Sequence, residues 1–439
     1  MEGADERDPY EAIDWLLERQ GAIERKLATR HFRAGSLALY DLSSSYFEGT
    51  HCPLPRIRHS RDGKKNKLLV NYGLLTARSG CPVAIFVYEG NTANASTLMS
   101  EVKRLREQFR LKYVVMVRDR GMIPHKAIGE LTEIEGLGWI TALKSGQIRS
   151  LIEGGALQLG LFDERSVFEL SHPGYPGERL IACRNLEVAT LRAHKRRALL
   201  EATGKELERV QTSVVAARVS GKDKIGVRVG RIVNKDTVAA EAALDAIYVI
   251  RTAVPKRPMS AADAVRNCKA LANLERAFHS LKTVDLNVRP IHHRLEGRMR
   301  THIFLCMLAY DVEWHMLEAW RPLLFADEDQ AAKADRDPLA PDQRSEQALQ
   351  KVLTHTLPDS PPAHSFRTLL EDLSTIVRNT CRTPGHLERS GTFDLITTPT
   401  AKQRRTMELI GQIAAWAEPA QSNLTYAADY AREFRSATG

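Results

Sequence analysis

The chain has 439 residues, 43% of them hydrophobic and 27% charged, an ordinary globular composition that excludes wholesale disorder. No apolar run reaches the roughly 20 residues a membrane helix needs, and the start Met1-Glu2-Gly3-Ala4-Asp5-Glu6 is unlike a secretory signal. Lys and Arg number 63 against 54 Asp and Glu, a net charge of +9, which favours a polyanionic partner.

The chain opens with a helical pattern over residues 8–30, anchored by Ile13, Leu16, Leu17, Ile23 and Leu27. Asp8 and Pro9 read as a cap and a first helical residue, and the pattern fits one helix or two short ones broken near Gly21. Short apolar runs follow at residues 36–40, 68–76 and 82–88, and a basic turn from Arg56 to Lys67 holds the hairpin dipeptide Asp62-Gly63. A helix fits residues 94–108, a buried strand 113–117, a helix 124–135 and a strand 139–143. This order predicts a layered α/β domain.

Between residues 146 and 245 the rhythm changes. Short β-like pieces at 156–162, 166–170 and 179–183 precede a long charged helix over 187–214. A buried strand resumes at 246–252, and a helix over 260–282 opens with Ser260 and Asp263 at capping-box spacing. Another helix covers 300–320. Residues 326–365 read as a polar, proline-rich linker, and helices at 366–380 and 401–417 close the chain. The implied domains are a helical segment 1–36, a core in two parts at 37–145 and 246–325, an insertion at 146–245, the linker, and a helical region at 366–439.

Three acids occupy informative places. Asp41 follows the first apolar strand, Asp119 follows the strand 113–117, and Glu275 lies in the helix after the resumed strand. Strand ends are where functional groups converge in layered α/β sheets. Carboxylates gathered there need a hard divalent cation, Mg²⁺ or Mn²⁺, and a pair of such ions suits phosphodiester chemistry. Taken singly, an Asp after a strand is more often a turn former. On a helical period Cys268, Leu271, Glu275, His279 and Lys282 form one stripe beside the apolar stripe Leu274, Ala277, Phe278 and Leu281; a solvated helix face fits the first stripe as well as a phosphate-facing one does.

Arg56, Arg58, Arg61, Lys64, Lys65 and Lys67 crowd one hairpin near Asp41 and suit phosphate contacts. Cys52, Cys81, Cys183, Cys268, Cys306 and Cys381 lie far apart, show no zinc spacing and read as reduced thiols of a cytoplasmic protein. His292, His293, His302 and His315 fit no zinc pattern either.

Several ordered motifs resemble bacterial DDE-type insertion-sequence transposases, in the group with a β-rich insertion between the second Asp and the Glu. They are Leu39-Tyr40-Asp41-Leu42-Ser43-Ser44-Ser45-Tyr46-Phe47-Glu48-Gly49, His59-Ser60-Arg61-Asp62-Gly63-Lys64, Glu89-Gly90-Asn91-Thr92-Ala93, Asp119-Arg120-Gly121-Met122 and Leu274-Glu275-Arg276-Ala277-Phe278. The resemblance runs from about Leu37 through Phe325.

It implies an α/β fold with an RNase-H-like catalytic core, interrupted by a β-rich and helical insertion and followed by a small helical tail. It further implies two Mg²⁺ ions (or Mn²⁺) on Asp41, Asp119 and Glu275, with Lys282, Arg120 and Arg276 among the DNA contacts. The expected activity is strand cleavage at transposon ends and strand transfer into target DNA, by a homodimer on paired terminal inverted repeats, in a bacterial cytoplasm and on its nucleoid. Cys268 and Leu271 replace the Tyr and Arg of the group's helix signature, only residues 1–36 precede the core, and the insertion is short. These departures carry the alternative of a truncated, catalytically impaired copy that binds DNA or titrates partners.

Overall fold

Acids in the first turn (Asp8, Glu11) and bases in the last (Arg30, His31) complement the dipole of α1, Asp8–His31. The helix runs unbroken through Gly21, and Asp8 is its first residue rather than its cap. The computed structural model describes residues 5, 7–57, 67–92, 97–119, 125–160, 162, 166–219, 234–284, 286, 288–326, 330, 336–340, 343–359, 361–382 and 392–411. Among them, no helix is long and apolar enough to cross a membrane.

The architecture is mixed α/β around one large sheet. Its strands are β1 Ser36–Tyr46, β2 Arg56–Ile57, β3 Leu68–Ala77, β4 Pro82–Glu89, β5 Val114–Val117, β6 Leu137–Ala142, β7 Val167–Leu170, β8 Arg179–Arg184 and β9 Ile247–Thr252. They run in the order β2-β3-β1-β5-β6-β9-β8-β7, with β4 also on β3. β1, β3 and β4 are antiparallel neighbours. β5 is parallel to β1 and β6 parallel to β5, while β9 returns antiparallel to β6. Through β8 and β9, the strands of the 146–245 stretch extend this same sheet.

Alternation along the strands divides the core into two layers. Leu39, Val115, Val117 and Ile140 face a layer that includes Leu274, Phe278, Ile303 and Phe304. Those come from α8, Leu271–His279, and α9, Glu296–Trp320. Ala38, Tyr40, Met116 and Trp139 face the other layer. It is built by α1, by α2, Leu98–Glu107, and by α3, His125–Thr132. Beyond β6 a third cluster packs α4, Ser145–Glu153, against β8 and β9. The long α5, Leu186–Val219, and the short α6, Lys235–Ala243, complete this part of the chain.

The structure departs from the sequence pattern in four places. β1 continues past Asp41 to Tyr46, because Ser43, Ser44 and Ser45 stay in register opposite Tyr72, Asn71 and Val70. The apolar stretch near residue 157 is not a strand: Leu157 and Phe162 are apolar because they are buried beneath α4. The helix expected over 260–282 is interrupted at Ala270, giving α7, Ala261–Lys269, then α8 and a π turn, Ser280–Val284. Its start is as the spacing predicts, with Ser260 Oγ accepting from the Asp263 amide at 3.1 Å and Asp263 Oδ2 accepting from the Ser260 amide at 3.2 Å.

The fourth departure lies after α9. The expected linker carries α10, Glu346–Thr354, and buries Leu357 and Ala363 against Trp320 and Leu324. α11, Phe366–Leu373, stops short of 380. The β-branched run Thr375-Ile376-Val377 favours extended backbone and leads into β10, Arg378–Arg382, paired with β11, Thr392–Ile396. α12, Ala401–Gly411, follows.

Candidate active site

Asp41 and Asp119 are brought together by strand register. In the parallel pair β1–β5, Leu39 lies opposite Val117. Two residues further along each chain stand Asp41 and Asp119, at the same step and continuing the alternation of the Leu39–Val117 face. β5 ends at Val117, so among the described residues no strand pairs with β1 on that side from Asp41 onward. Asp41 is half-buried and Asp119 exposed. Asp41 Oδ1 accepts from the Leu42 amide at 2.7 Å, and Thr141 Oγ1 donates to the Asp119 carbonyl at 3.1 Å, fixing the backbone there.

The helix bearing Glu275 covers this same face. Leu274, Ala277, Phe278 and Leu281 are buried, the apolar stripe expected, and the Phe278 ring lies 6.0 Å from that of Tyr72 on β3. Glu275 and His279 are exposed, and Lys282 is half-buried with Nζ 6.0 Å over the Tyr72 ring. Tyr72 pairs with Ser43, one step along the face from Asp41. Among the described residues, Asp41, Asp119 and Glu275 do not form a cluster with donor atoms all within 4.8 Å. Asp41 and Asp119 stand at one step of the sheet, and the helix that carries Glu275 packs on that face.

Other expected contacts are placed as follows. Arg56 pairs with Glu89 at 3.3 Å and also donates to the Pro55 carbonyl at 3.1 Å. Arg276 is exposed and donates to Asn273 Oδ1 at 2.6 Å. Lys67 pairs with Glu48 at 3.6 Å. Arg58, Arg61, Lys64, Lys65 and Arg120 lie outside the described residues.

Beneath the aspartates, on the opposite face, Tyr40 and Arg118 occupy the preceding positions of the two strands. Arg118 is fully buried with its guanidinium 5.0 Å over the Tyr40 ring; Nη1 lies 3.6 Å from Glu101 Oε2 and Nη2 donates to Thr97 Oγ1 at 3.4 Å. Tyr88 donates to Glu101 Oε1 at 3.4 Å. Burial pushes the Glu101 carboxyl up to about 7 against the opposing pull of Arg118, and Tyr88 up to about 12. A buried cation and its partner thus back the strand ends that carry Asp41 and Asp119.

This shift sets a pH dependence. The folded state keeps the Glu101 proton to about pH 7, whereas the unfolded chain releases it near 4.5. Stability therefore falls as pH rises from about 4.5 to about 7 and stays lowered above that, by about 3 kcal/mol for this group. Glu101→Gln is expected to flatten that slope when urea unfolding is compared at pH 5 and pH 7.5. An unchanged slope would assign the pH dependence elsewhere.

A second cluster, formed by His31, Cys81, Asp311 and His315, escaped the sequence patterns. Its only local signal is the i, i+4 spacing of Asp311 and His315; the remaining members are distant in sequence. His292, His293 and His302, considered with His315 on sequence grounds, are not part of it.

No family model matches the chain, and no curated protein sequence matches it. Among solved structures the chain is similar to piggyBac transposase in its synaptic complex with hairpin DNA, at a TM-score of 0.33 and 9% identity, over 80% of this chain and 64% of that one. The chain thus spans less than two thirds of that protein's length.

Proposed function

We propose that the chain is a DDE-type transposase with an RNase-H-like core. The observation that carries this reading is the shared step of Asp41 and Asp119 on neighbouring parallel strands, with the Glu275 helix packed over the same face. The sheet order β4-β3-β1-β5-β6, three antiparallel strands and then two parallel ones, also supports it. All three side chains are hard oxygen donors and fit Mg²⁺, so they would hold the ions. When bound, such ions lower the pKa of a water and neutralise charge on the phosphodiester.

The chain's own residues supply the rest. Thr141 fixes the Asp119 backbone, Tyr40 and Arg118 buttress the strand ends, and Lys282 and Arg276 contact the DNA backbone. Each phosphate contact raises the salt sensitivity of binding. Lys282→Ala is expected to lower the slope of log affinity against log salt by about one, read by fluorescence anisotropy on a labelled duplex; an unchanged slope would remove Lys282 from the interface.

The reading is tested by Mg²⁺-dependent nicking of a duplex carrying the terminal repeats that flank the coding sequence. Cleavage at the repeat boundary is the expected result. Salt-sensitive binding without cleavage would instead support a non-cutting DNA-binding protein. That second reading is favoured by Cys268 and Leu271, both half-buried, on the stripe where the resembling family carries Tyr and Arg.

A further inference from the structure

We propose that His31, Cys81, Asp311 and His315 form a structural zinc site that ties the end of α1 and the β3–β4 turn to α9. The donor atoms of all four lie within 4.8 Å of one another. Cys81 Sγ is 3.5 Å from His31 Nε2, 3.5 Å from Asp311 Oδ1 and 4.0 Å from His315 Nε2. His315 Nε2 is 3.7 Å from Asp311 Oδ1. A tetrahedron built on zinc's usual bond lengths to sulfur, nitrogen and oxygen has edges of about 3.3–3.8 Å. The four spacings just given match that shell or exceed it by a few tenths of an ångström, and the two from His31 to Asp311 and His315 lie within 4.8 Å.

The donor set fits zinc better than magnesium. Thiolate and imidazole are softer ligands than the all-oxygen shell magnesium prefers. Four protein donors leave no open position, as in a structural rather than a catalytic site. Two of the donors are buried, Cys81 at 0% exposure and His315 at 8%, and His31 and Asp311 are half-buried. Burying a thiol, two imidazoles and a carboxylate together is costly without a shared counterion, and a divalent cation would offset that cost.

Local structure holds each donor in place before any ion arrives. Asp311 and His315 stand one turn apart on α9, so both face the same way. His31 is the last residue of α1. Cys81 follows Gly80, whose φ of +91° makes the β3–β4 turn and where a Cβ would come within 3.0 Å of Asn273 Cβ. The turn is clamped from two sides. Asn273 Nδ2, on α8, donates to the Arg78 carbonyl at 2.8 Å, and Trp314 Nε1, on α9, donates to the Ser79 carbonyl at 3.4 Å. Trp314 also meets the His315 ring edge-on at 5.0 Å.

The test uses the full chain, purified without immobilised-metal resin, incubated with zinc sulfate and desalted. Elemental analysis is expected to find one zinc per chain. Replacement by Co²⁺ is expected to give the intense visible bands of a four-coordinate site, together with a near-ultraviolet thiolate-to-cobalt charge-transfer band. Cys81→Ser should abolish the charge-transfer band, and His315→Gln should lose most of the retained zinc. Asp119→Asn should retain it in full, which separates this site from the carboxylates.

Removing zinc from the wild-type protein with a chelator should lower its unfolding temperature, and adding zinc back should restore it. A cooperatively folding wild-type chain that retains no zinc would overturn the proposal. So would a six-coordinate cobalt spectrum without a thiolate band, or equal zinc retention in wild type, Cys81→Ser and His315→Gln. If either variant fails to fold, the wild-type cobalt spectrum decides alone.

Discussion

Asp119→Ala is expected to reduce metal-dependent nicking of the terminal-repeat duplex by at least about 10³-fold, while leaving the chain folded and bound to DNA. The size follows from the several kcal/mol that metal-held charge stabilisation contributes to such reactions, at one factor of ten per 1.36 kcal/mol. The selectivity follows from position. Asp119 lies past the last paired residue of β5 and is exposed, so no core packing is removed. Its backbone remains held through its carbonyl by Thr141. Substitutions at such positions shift stability by about 0.5 kcal/mol or less. The measurement is single-turnover cleavage beside a binding titration and a thermal melt. Residual cleavage within tenfold of wild type, in a folded protein, would remove Asp119 from the chemistry.

The second large effect concerns stability. Arg251 on β9 and Glu178, just before β8, form an ion pair with side chains only 4% and 3% exposed. Nε donates to Oε2 at 2.7 Å and Nη2 to Oε1, so the contact is bidentate. The guanidinium also lies 5.4 Å from the Trp139 ring and 5.0 Å from that of Tyr175. Arg251→Met leaves the carboxylate buried without its partner and is expected to cost about 3–5 kcal/mol. Adding Glu178→Leu removes the stranded charge, and the double variant should recover most of the loss. The check is urea unfolding of both singles and the double, combined as a cycle. A single-variant cost below about 1 kcal/mol would show the pair to be dispensable.

Much of the sheet was legible because its strands are short apolar runs between turn residues: 68–76, 82–88, 113–117 and 246–252 lie on β3, β4, β5 and β9. The helix carrying Glu275 was legible for the same reason, since Leu274, Ala277, Phe278 and Leu281 mark its buried side. What misled was polarity inside a strand. The apolar run 36–40 stops before Asp41, yet cross-strand pairing with β3 keeps Ser43, Ser44 and Ser45 extended, so Asp41 sits within β1 rather than at its end.

Apolar residues can also serve a core without being extended, as Leu157 and Phe162 do. The carboxylates could be listed from sequence, but their common step could not. It depends on how β5 registers against β1, which no local pattern encodes. The His31, Cys81, Asp311 and His315 cluster is the extreme case, with three elements meeting at one point and only a single i, i+4 pair to announce it.

The parallel pairing of β1 with β5 also has a kinetic consequence. Hairpin partners such as β3 and β4 are neighbours in the chain and can pair as soon as both exist. β1 and β5 cannot, because β2, β3, β4 and α2 lie between them, and such long-range pairing is slow. The helix bearing Glu275 arrives far later in synthesis, after β9 and α7. Domains fold as the chain emerges, N-terminal parts first. A ribosome-bound chain can therefore carry Asp41 in an ordered strand long before its two companions are in place. All three carboxylates are present only once the chain has been made through the helix Leu271–His279.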